Sequence, residues 1–336
     1  MKSDGLGRRT PKMPIITVQT GARLHFGLLA LKSVSGRNFG GVGLMVEAPG
    51  CELSVEPADR DECLAEPEIA ARLNAWRDEY RRRCPIEHRP PACRIRLSQT
   101  IPAHAGLGSG TQTALALAAA LSQWGGEQTI AAQELARRIG RGARSALGIH
   151  GFEHGGLLVE GGKRHPDEIS PLVARPDFPS DWRVLLVTPN DRRGLSGDAE
   201  RAAFSRLTPM PTSLTETLCR IVLMELLPAV ASADFAATAA ALQEFGQLNG
   251  SHFAPIQGGV FADRQMAELA KTLTDQDCVG VGQSSWGPTL WILCRDETEA
   301  SRCRDEITTH PSAEACTIQL TSAQNSGSHA RQNVGK

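Results

Sequence analysis

The sequence predicts an α+β fold, an α/β two-layer arrangement in two domains, and three observations carry that expectation. Strand-patterned segments followed by helices fill the first half, a proline-rich break comes near the middle, and a second strand and helix alternation starts after it. The length agrees, because 336 residues exceed the roughly 250 to 300 at which one hydrophobic core stops growing.

In the first half, segments 16–24, 42–48, 51–57 and 93–100 alternate apolar and polar residues or are rich in β-branched types, as strands are. Segment 61–83 is charged, with Leu64, Ile69, Leu73, Trp76 and Tyr80 at helical spacing, and predicts an exposed amphipathic helix. Segment 111–124 is apolar all round and rich in alanine, which predicts a buried helix packed closely on its neighbours. A further helix is expected over 130–139.

Pro166, Pro171, Pro176 and Pro179 mark the domain boundary, giving domains at 14–175 and 180–321. Beyond it, the pattern predicts a strand at 182–188, helices at 212–227, 234–248 and 265–273, strands at 279–281 and 289–294, a helix at 297–309 and a strand at 315–320. That order suits a ferredoxin-like layer. Residues 1–13 and 322–336 are polar and lack periodicity, so both are expected to be flexible tails. No repeat of 20 to 50 residues is visible.

Composition excludes several function classes. A formal net charge of −1 gives no global attraction to nucleic acid or to an anionic membrane. No window approaches the ~18 apolar residues of a membrane span, and no apolar stretch of signal-peptide length precedes residue 14, so a cytoplasmic protein is expected. The nine cysteines are scattered, odd in number and never spaced CxxC, which predicts reduced thiols.

The chemistry centres on Gly106-Leu107-Gly108-Ser109-Gly110-Thr111, between a strand and the buried helix. Glycines let successive amides converge, and the helix N-terminus adds unpaired donors and the positive end of its dipole, so the loop predicts an anion cradle. Ser109 and Thr111 add hydroxyls for phosphate oxygens or a metal-bound water. The alternative is a tight turn whose glycines serve sterics alone. The loop is neither GxxxxGK[ST] nor GxGxxG, since Thr111 stands where the third glycine would fall.

A second segment, 140–156, crowds Arg141, Arg144, His150 and His154 among glycines, with Ser145 beside Arg144. Arginines pair with diphosphate oxygens. His150, Glu153 and His154 also spell HxxEH, a zinc signature when both histidines share a helix face. Gly148, Gly151, Gly155 and Gly156 argue against that helix, and a substrate-site role is preferred over zinc and over local packing. Arg23 and His25, two apart on a strand, point to one face. Arg37 and Asn38, with Gln283, Ser284 and Ser285 in a glycine-rich turn, complete the candidates for substrate binding, each with a plain turn as its alternative. Segment 194–200 reads equally as a helix N-cap or a functional loop.

With Pro102, Gly106, Leu107, Gly108 and Ser109 the loop resembles the central motif PxxxGLGSS of the GHMP kinase superfamily. The resemblance implies a first domain like ribosomal protein S5 domain 2 and a ferredoxin-like second domain. Kinases of that superfamily commonly use a mid-domain aspartate, whereas this chain has none between Asp78 and Asp167, which weakens a kinase reading. RLHFGL, GGVGL, GLGSGTQ, RSALGIHGFEHGG, GLSGDAE and GQSSWGPT together resemble the β-ribofuranosylaminobenzene 5'-phosphate synthase family, over about residues 15–295.

That second resemblance implies condensation of 4-aminobenzoate with phosphoribosyl diphosphate, releasing carbon dioxide and diphosphate, in tetrahydromethanopterin synthesis. It implies catalytic roles among Arg23, His25, His150, Glu153 and His154, with Arg23 and His25 on the acceptor carboxylate. Residues 106–111, Arg144 and Ser145 would hold phosphate, with Mg²⁺ on Ser109 or Thr111 and no organic cofactor. The expected partners are small molecules, with neither nucleic acid nor membrane, and a homodimer is the assembly considered. The alternatives are an ATP-dependent small-molecule kinase with Glu153 as its base, and a non-catalytic phosphometabolite-binding protein.

Overall fold

The computed structural model describes residues 14–33, 36–192, 194, 197–276 and 278–333. The first sheet is built on two long antiparallel strands, β1 (Ile15–Ala30) and β2 (Phe39–Pro57). β3 (Glu62–Leu64) precedes helix α1 (Pro67–Arg83), and β4 (Cys93–Gln99) leads through the glycine loop into α2 (Ser109–Trp124). Short helices α3 (Ala132–Arg138) and α4 (Leu147–His154) follow, then β5 (Leu157–Glu160) and β6 (Leu172–Ala174). β6 pairs with β5 inside the proline-rich segment expected to be a plain boundary.

Strand β7 (Arg183–Pro189) opens the second sheet. It is followed by α5 (Gly197–Arg206), α6 (Thr212–Arg220), a π-helical stretch at Ile221–Leu226, α7 (Leu227–Ala231), α8 (Phe235–Gln257) and α9 (Arg264–Asp275). β8 (Val281–Gln283), β9 (Leu290–Cys294), α10 (Glu297–Thr309) and β10 (Cys316–Thr321) complete a four-stranded antiparallel sheet of order β10-β7-β9-β8. Its core joins Leu185, Val187 and Ile292 to Met266, Leu269 and Leu273 of α9 and Ile307 of α10.

α2 packs on β1 and β2 with Ala114 to Ala118 and Leu121 fully buried. Its alanines let the helix approach the sheet closely, as the all-apolar pattern predicts. The expected helix over 61–83 starts later, at Pro67, whose fixed φ suits a first helical turn. The preceding residues pair with β4 instead.

One expectation is overturned. Residues 322–333 are ordered against the first sheet rather than frayed, with strand β11 (His329–Asn333) lying antiparallel on the edge of β1. Gln324 N donates to Met45 O at 2.8 Å, and the Asn325 side chain exchanges two 2.8 Å bonds with the Phe178 backbone. Such anchoring uses main-chain groups and amide side chains, so it leaves no apolar periodicity to read. Residues 1–13 and 334–336 lie outside the described residues. All nine cysteines are free thiols, and no described helix is long and apolar enough to cross a membrane.

Candidate active site

The glycine loop is held from both sides. Gly106 and Gly108 have φ of +81° and +72°, a region that favours glycine, and Gly108 in that conformation is the N-cap of α2. A Cβ at Gly106 would lie 2.2 Å from Ser284 O, so the turn between β8 and β9 closes directly onto the loop. Ser284 Oγ donates to Gly106 O at 2.8 Å and accepts from His25 N at 3.1 Å, while Ser285 N donates to His25 O at 2.8 Å. On the other side Arg23 N donates to Leu107 O at 3.0 Å. Gly108 O takes the first intrahelical bonds, from Thr111 and Gln112. The amides of Ser109 and Gly110 precede those bonds, and both residues line the cleft.

Around this loop runs a cavity of about 450 Å³ walled by Arg23, Glu68, Arg72, His104, Arg141 and Arg144. It continues into a smaller space of about 180 Å³ that adds His25, Phe39, Ser145 and Phe204 and shares Arg23, Thr111, Arg141, Arg144 and Ser285. The arginines are positioned by aromatic rings. Arg72 and Arg141 lie 5.0 and 4.9 Å from the Trp76 ring, and Arg144 lies 4.8 Å from Phe204. Gly110 leaves room for them, since a Cβ there would sit 2.9 Å from Arg72 Nη2.

Among the described residues, four arginines and one carboxylate, Glu68, line the wall around the loop and make it electropositive. Burial first, and Arg72 second, pull Arg141 down to about 10. His25 is held well below its ordinary value by burial, then by Arg23 and Arg144, so it is neutral at pH 7, and among the described residues its Nδ1 has no hydrogen-bond partner. A bulge between His25 and Gly27 in the pairing of β1 with β2 accompanies this placement. The arrangement is suited to binding a multiply charged anion and to stabilising negative charge that grows on it.

Ser109, Thr111 and Glu68 are oxygen donors on the wall. Among the described residues no group of three or more His, Cys, Asp and Glu is placed to hold a metal unaided. The donors present fit Mg²⁺ as an ion shared with phosphate oxygens, the usual manner for a cation that keeps its waters and takes one or two carboxylates.

The structure brings together Arg23, His25, Gly106, Leu107, Gly108, Ser109, Gly110, Thr111, Arg144, Ser145 and Ser285. It separates others. His150 is buried behind the cleft with Nε2 2.7 Å from Ser170 O, while Glu153 and His154 are outside both cavities, 4.0 Å apart as a partly exposed pair. The helix that glycines were expected to forbid does form, because Gly148 and Gly151 sit where α4 touches α2 and β2. A Cβ would lie 3.0 Å from Thr111 Cγ2 at Gly148 and 2.4 Å from Met45 Sδ at Gly151. Gly155, at φ +64°, ends it.

Ser284 and Gln283 are struts rather than ligand contacts. Gln283 accepts from Ala262 N at 2.7 Å and donates to Ser285 O at 3.0 Å. Arg37 is engaged by Glu168 and Gly162 O and lines neither cavity. Asn38 accepts from Ser33 N and faces a neighbouring cavity. Of segment 194–200, residues 195 and 196 lie outside the described residues, Gly194 N donates to His104 O at 2.7 Å, and the rest enters α5. Missed by sequence reasoning were Arg72, Glu68, His104 and Phe204, whereas the sequence already singles out Arg141 beside Arg144.

Comparison with known proteins fits this geometry. The GHMP kinases N terminal domain family matches residues 71–156. A β-ribofuranosylphenol 5'-phosphate synthase of Archaeoglobus fulgidus is 33% identical over 292 residues, covering 83% of this chain and 88% of that protein. The protein of the same name from Methanothermobacter thermautotrophicus is 30% identical, with 83% and 88% covered. Among solved structures, homoserine kinase from Cytophaga hutchinsonii superposes with a TM-score of 0.63 at 15% identity, covering 97% of this chain and 100% of that one. Mevalonate diphosphate decarboxylase from Staphylococcus aureus gives 0.66 at 15%, covering 95% and 98%. At such identities the last two speak for the fold alone.

Proposed function

The chain belongs to the β-ribofuranosylphenol 5'-phosphate synthase family, a transferase branch of the GHMP superfamily, and from that premise we propose that it is a decarboxylating phosphoribosyltransferase. Its donor is phosphoribosyl diphosphate. Its acceptor is a para-substituted benzoate, either 4-aminobenzoate or the hydroxyl counterpart that the phenol in its relatives' name suggests, in tetrahydromethanopterin synthesis. The observation that carries this reading is the convergence of Arg23, Arg72, Arg141 and Arg144 on the glycine loop.

The diphosphate would lie on the amides of Ser109 and Gly110 with its charge met by the arginines. Mg²⁺ bound with it, on Ser109, Thr111 and Glu68, would supply further neutralisation. As the bond from the anomeric carbon to diphosphate breaks, charge grows on the leaving oxygen, and fixed guanidinium groups stabilise it without reorganising. The ring carbon bearing the carboxylate forms the new bond to the anomeric carbon. Carbon dioxide then departs, and its bonding pair restores aromaticity. No net proton is moved, which accords with the neutral state of the buried His25.

A kinase reading is less favoured because Glu153, its candidate base, lies outside both cavities, and among the described residues no aspartate lines them. The deciding experiment supplies Mg²⁺, phosphoribosyl diphosphate and carboxyl-labelled 4-aminobenzoate or 4-hydroxybenzoate. Equal release of carbon dioxide and diphosphate is expected. Release of neither, with ATP consumed when alcohols are offered, would move the chain to the kinases. Tight binding without any turnover would make it a phosphometabolite-binding protein.

A further inference from the structure

A third cavity, of about 470 Å³, adjoins the anion cleft and shares Phe39, Ala143, Arg144 and Phe204 with the smaller part of it. Its volume falls in the range of small-ligand sites, roughly 300 to 1,000 Å³. Its walls differ from those of the cleft. Phe39, Phe204 and Pro166 offer apolar surface, and Lys163 lines this cavity but neither of the two spaces around the glycine loop.

Two features mark this cavity as built for a ligand. Phe39 has φ of +64°, a conformation that is a genuine outlier for a bulky residue and persists only where the surroundings enforce it. The enforcement is visible: Asn38 and Lys163 exchange both backbone hydrogen bonds, at 2.8 and 2.9 Å, fixing Phe39 beside Lys163. Lys163 itself is 4% exposed. Its ammonium donates to Gly142 O at 3.2 Å and Pro166 O at 2.8 Å and lies 5.9 Å from the Phe39 ring. Those two bonds leave one of its three protons for a ligand. Burial pulls it below the ordinary lysine value.

We infer that this cavity is the acceptor subsite, holding the aromatic acid between Phe39 and Phe204 with its carboxylate end toward Arg144 and its para substituent at Lys163, which makes Lys163 a specificity-determining residue. The inference rests on the transferase reading. The direction follows from the chemistry, because the carbon bearing the carboxylate must reach the anomeric carbon and the cavity meets the cleft at the wall that Arg144 shares with Phe39, Ala143 and Phe204. At the other end an ammonium donor favours a phenolic oxygen, whose lone pairs remain available, over an arylamine nitrogen, whose pair is delocalised into the ring. Lys163 therefore selects hydroxyl over amino acceptors.

The test uses the full chain with Ala143→Phe, which fills the cavity at an exposed position, and Lys163→Met. Ala143→Phe is expected to raise the acceptor KM by about tenfold or more, and by a clearly larger factor than the donor KM, since Ala143 also borders the smaller part of the anion cleft. Lys163→Met is expected to lower the hydroxy-to-amino ratio of kcat/KM by about tenfold, whereas a merely structural role would lower both acceptors together. An unchanged acceptor KM in the first variant, or an unchanged ratio in a folded second variant, overturns the inference. Saturation-transfer NMR with 4-hydroxybenzoate and saturating inorganic diphosphate keeps the two readings apart. Binding that survives Ala143→Phe sinks the subsite alone, and failure of the wild-type protein to bind either acid sinks the transferase reading with it.

Discussion

The backbone amide of His25 donates to the hydroxyl of Ser284 at 3.1 Å, and that hydroxyl donates in turn to Gly106 O at 2.8 Å. One fully buried side chain thus ties β1, the glycine loop and the turn of the second sheet together. Ser284→Ala leaves a buried donor and a buried acceptor without partners, which costs about 1–3 kcal/mol. Chemical denaturation should show a lower midpoint together with weaker binding of inorganic diphosphate. An unchanged midpoint with a raised substrate KM would restore Ser284 to a substrate contact.

Arg141 tests the anion cleft. Among the described residues its Nε has no hydrogen-bond partner, and burial beside Arg72 already holds it down to about 10. A diphosphate would relieve both conditions. Arg141→Gln should weaken inorganic diphosphate about 10- to 100-fold in calorimetric titration, the value of one charge-assisted bond. Affinity in the wild-type protein should also fall steeply with added salt. Wild-type affinity in the variant would remove Arg141 from the site.

His25 sets a pH dependence whose sign follows from its depressed value. In the unfolded chain it takes up a proton near 6.5, whereas in the folded protein burial, Arg23 and Arg144 delay that uptake to lower pH. The unfolded state therefore binds more protons in between. The contribution is fully present above pH 6.5 and is lost as pH falls toward the folded value, by at most about 1.4 kcal/mol per pH unit for one site. Denaturation midpoints from pH 7.5 to 5 should show this fall in the wild-type protein and less of it in His25→Gln. Inorganic diphosphate, by neutralising the two arginines, should reduce it as well.

The glycine loop was legible because its chemistry is local: Gly106, Gly108 and the start of α2 lie within a few residues of one another. Arg23 and His25 were legible from strand alternation. Arg72 was not, since on a charged amphipathic helix it looks like any solvated side chain, and its purpose appears only when Arg141 stacks on the same Trp76 ring. Ser284 was misread for the opposite reason. A hydroxyl in a glycine-rich turn suggests a ligand, but its acceptor is a carbonyl 178 residues away. Residues 322–333 were misread because strand pairing on a sheet edge makes no demand on apolar pattern.

The misjudged helix α4 yields the remaining prediction, in which two effects oppose each other. In an isolated helix Gly151→Ala would gain about 1 kcal/mol of propensity. Here the new methyl would lie 2.4 Å from Met45 Sδ and 3.0 Å from Leu158 Cδ1, both residues being fully buried, so neither can swing into solvent. Overpacking of that kind costs about 1–3 kcal/mol, and it should win. Gly151→Ala is therefore expected to destabilise the protein, and adding Met45→Ala, which makes space, should return part of the loss instead of deepening it. Additive losses in the double variant would show that Gly151 serves the helix for some reason other than its contact with Met45.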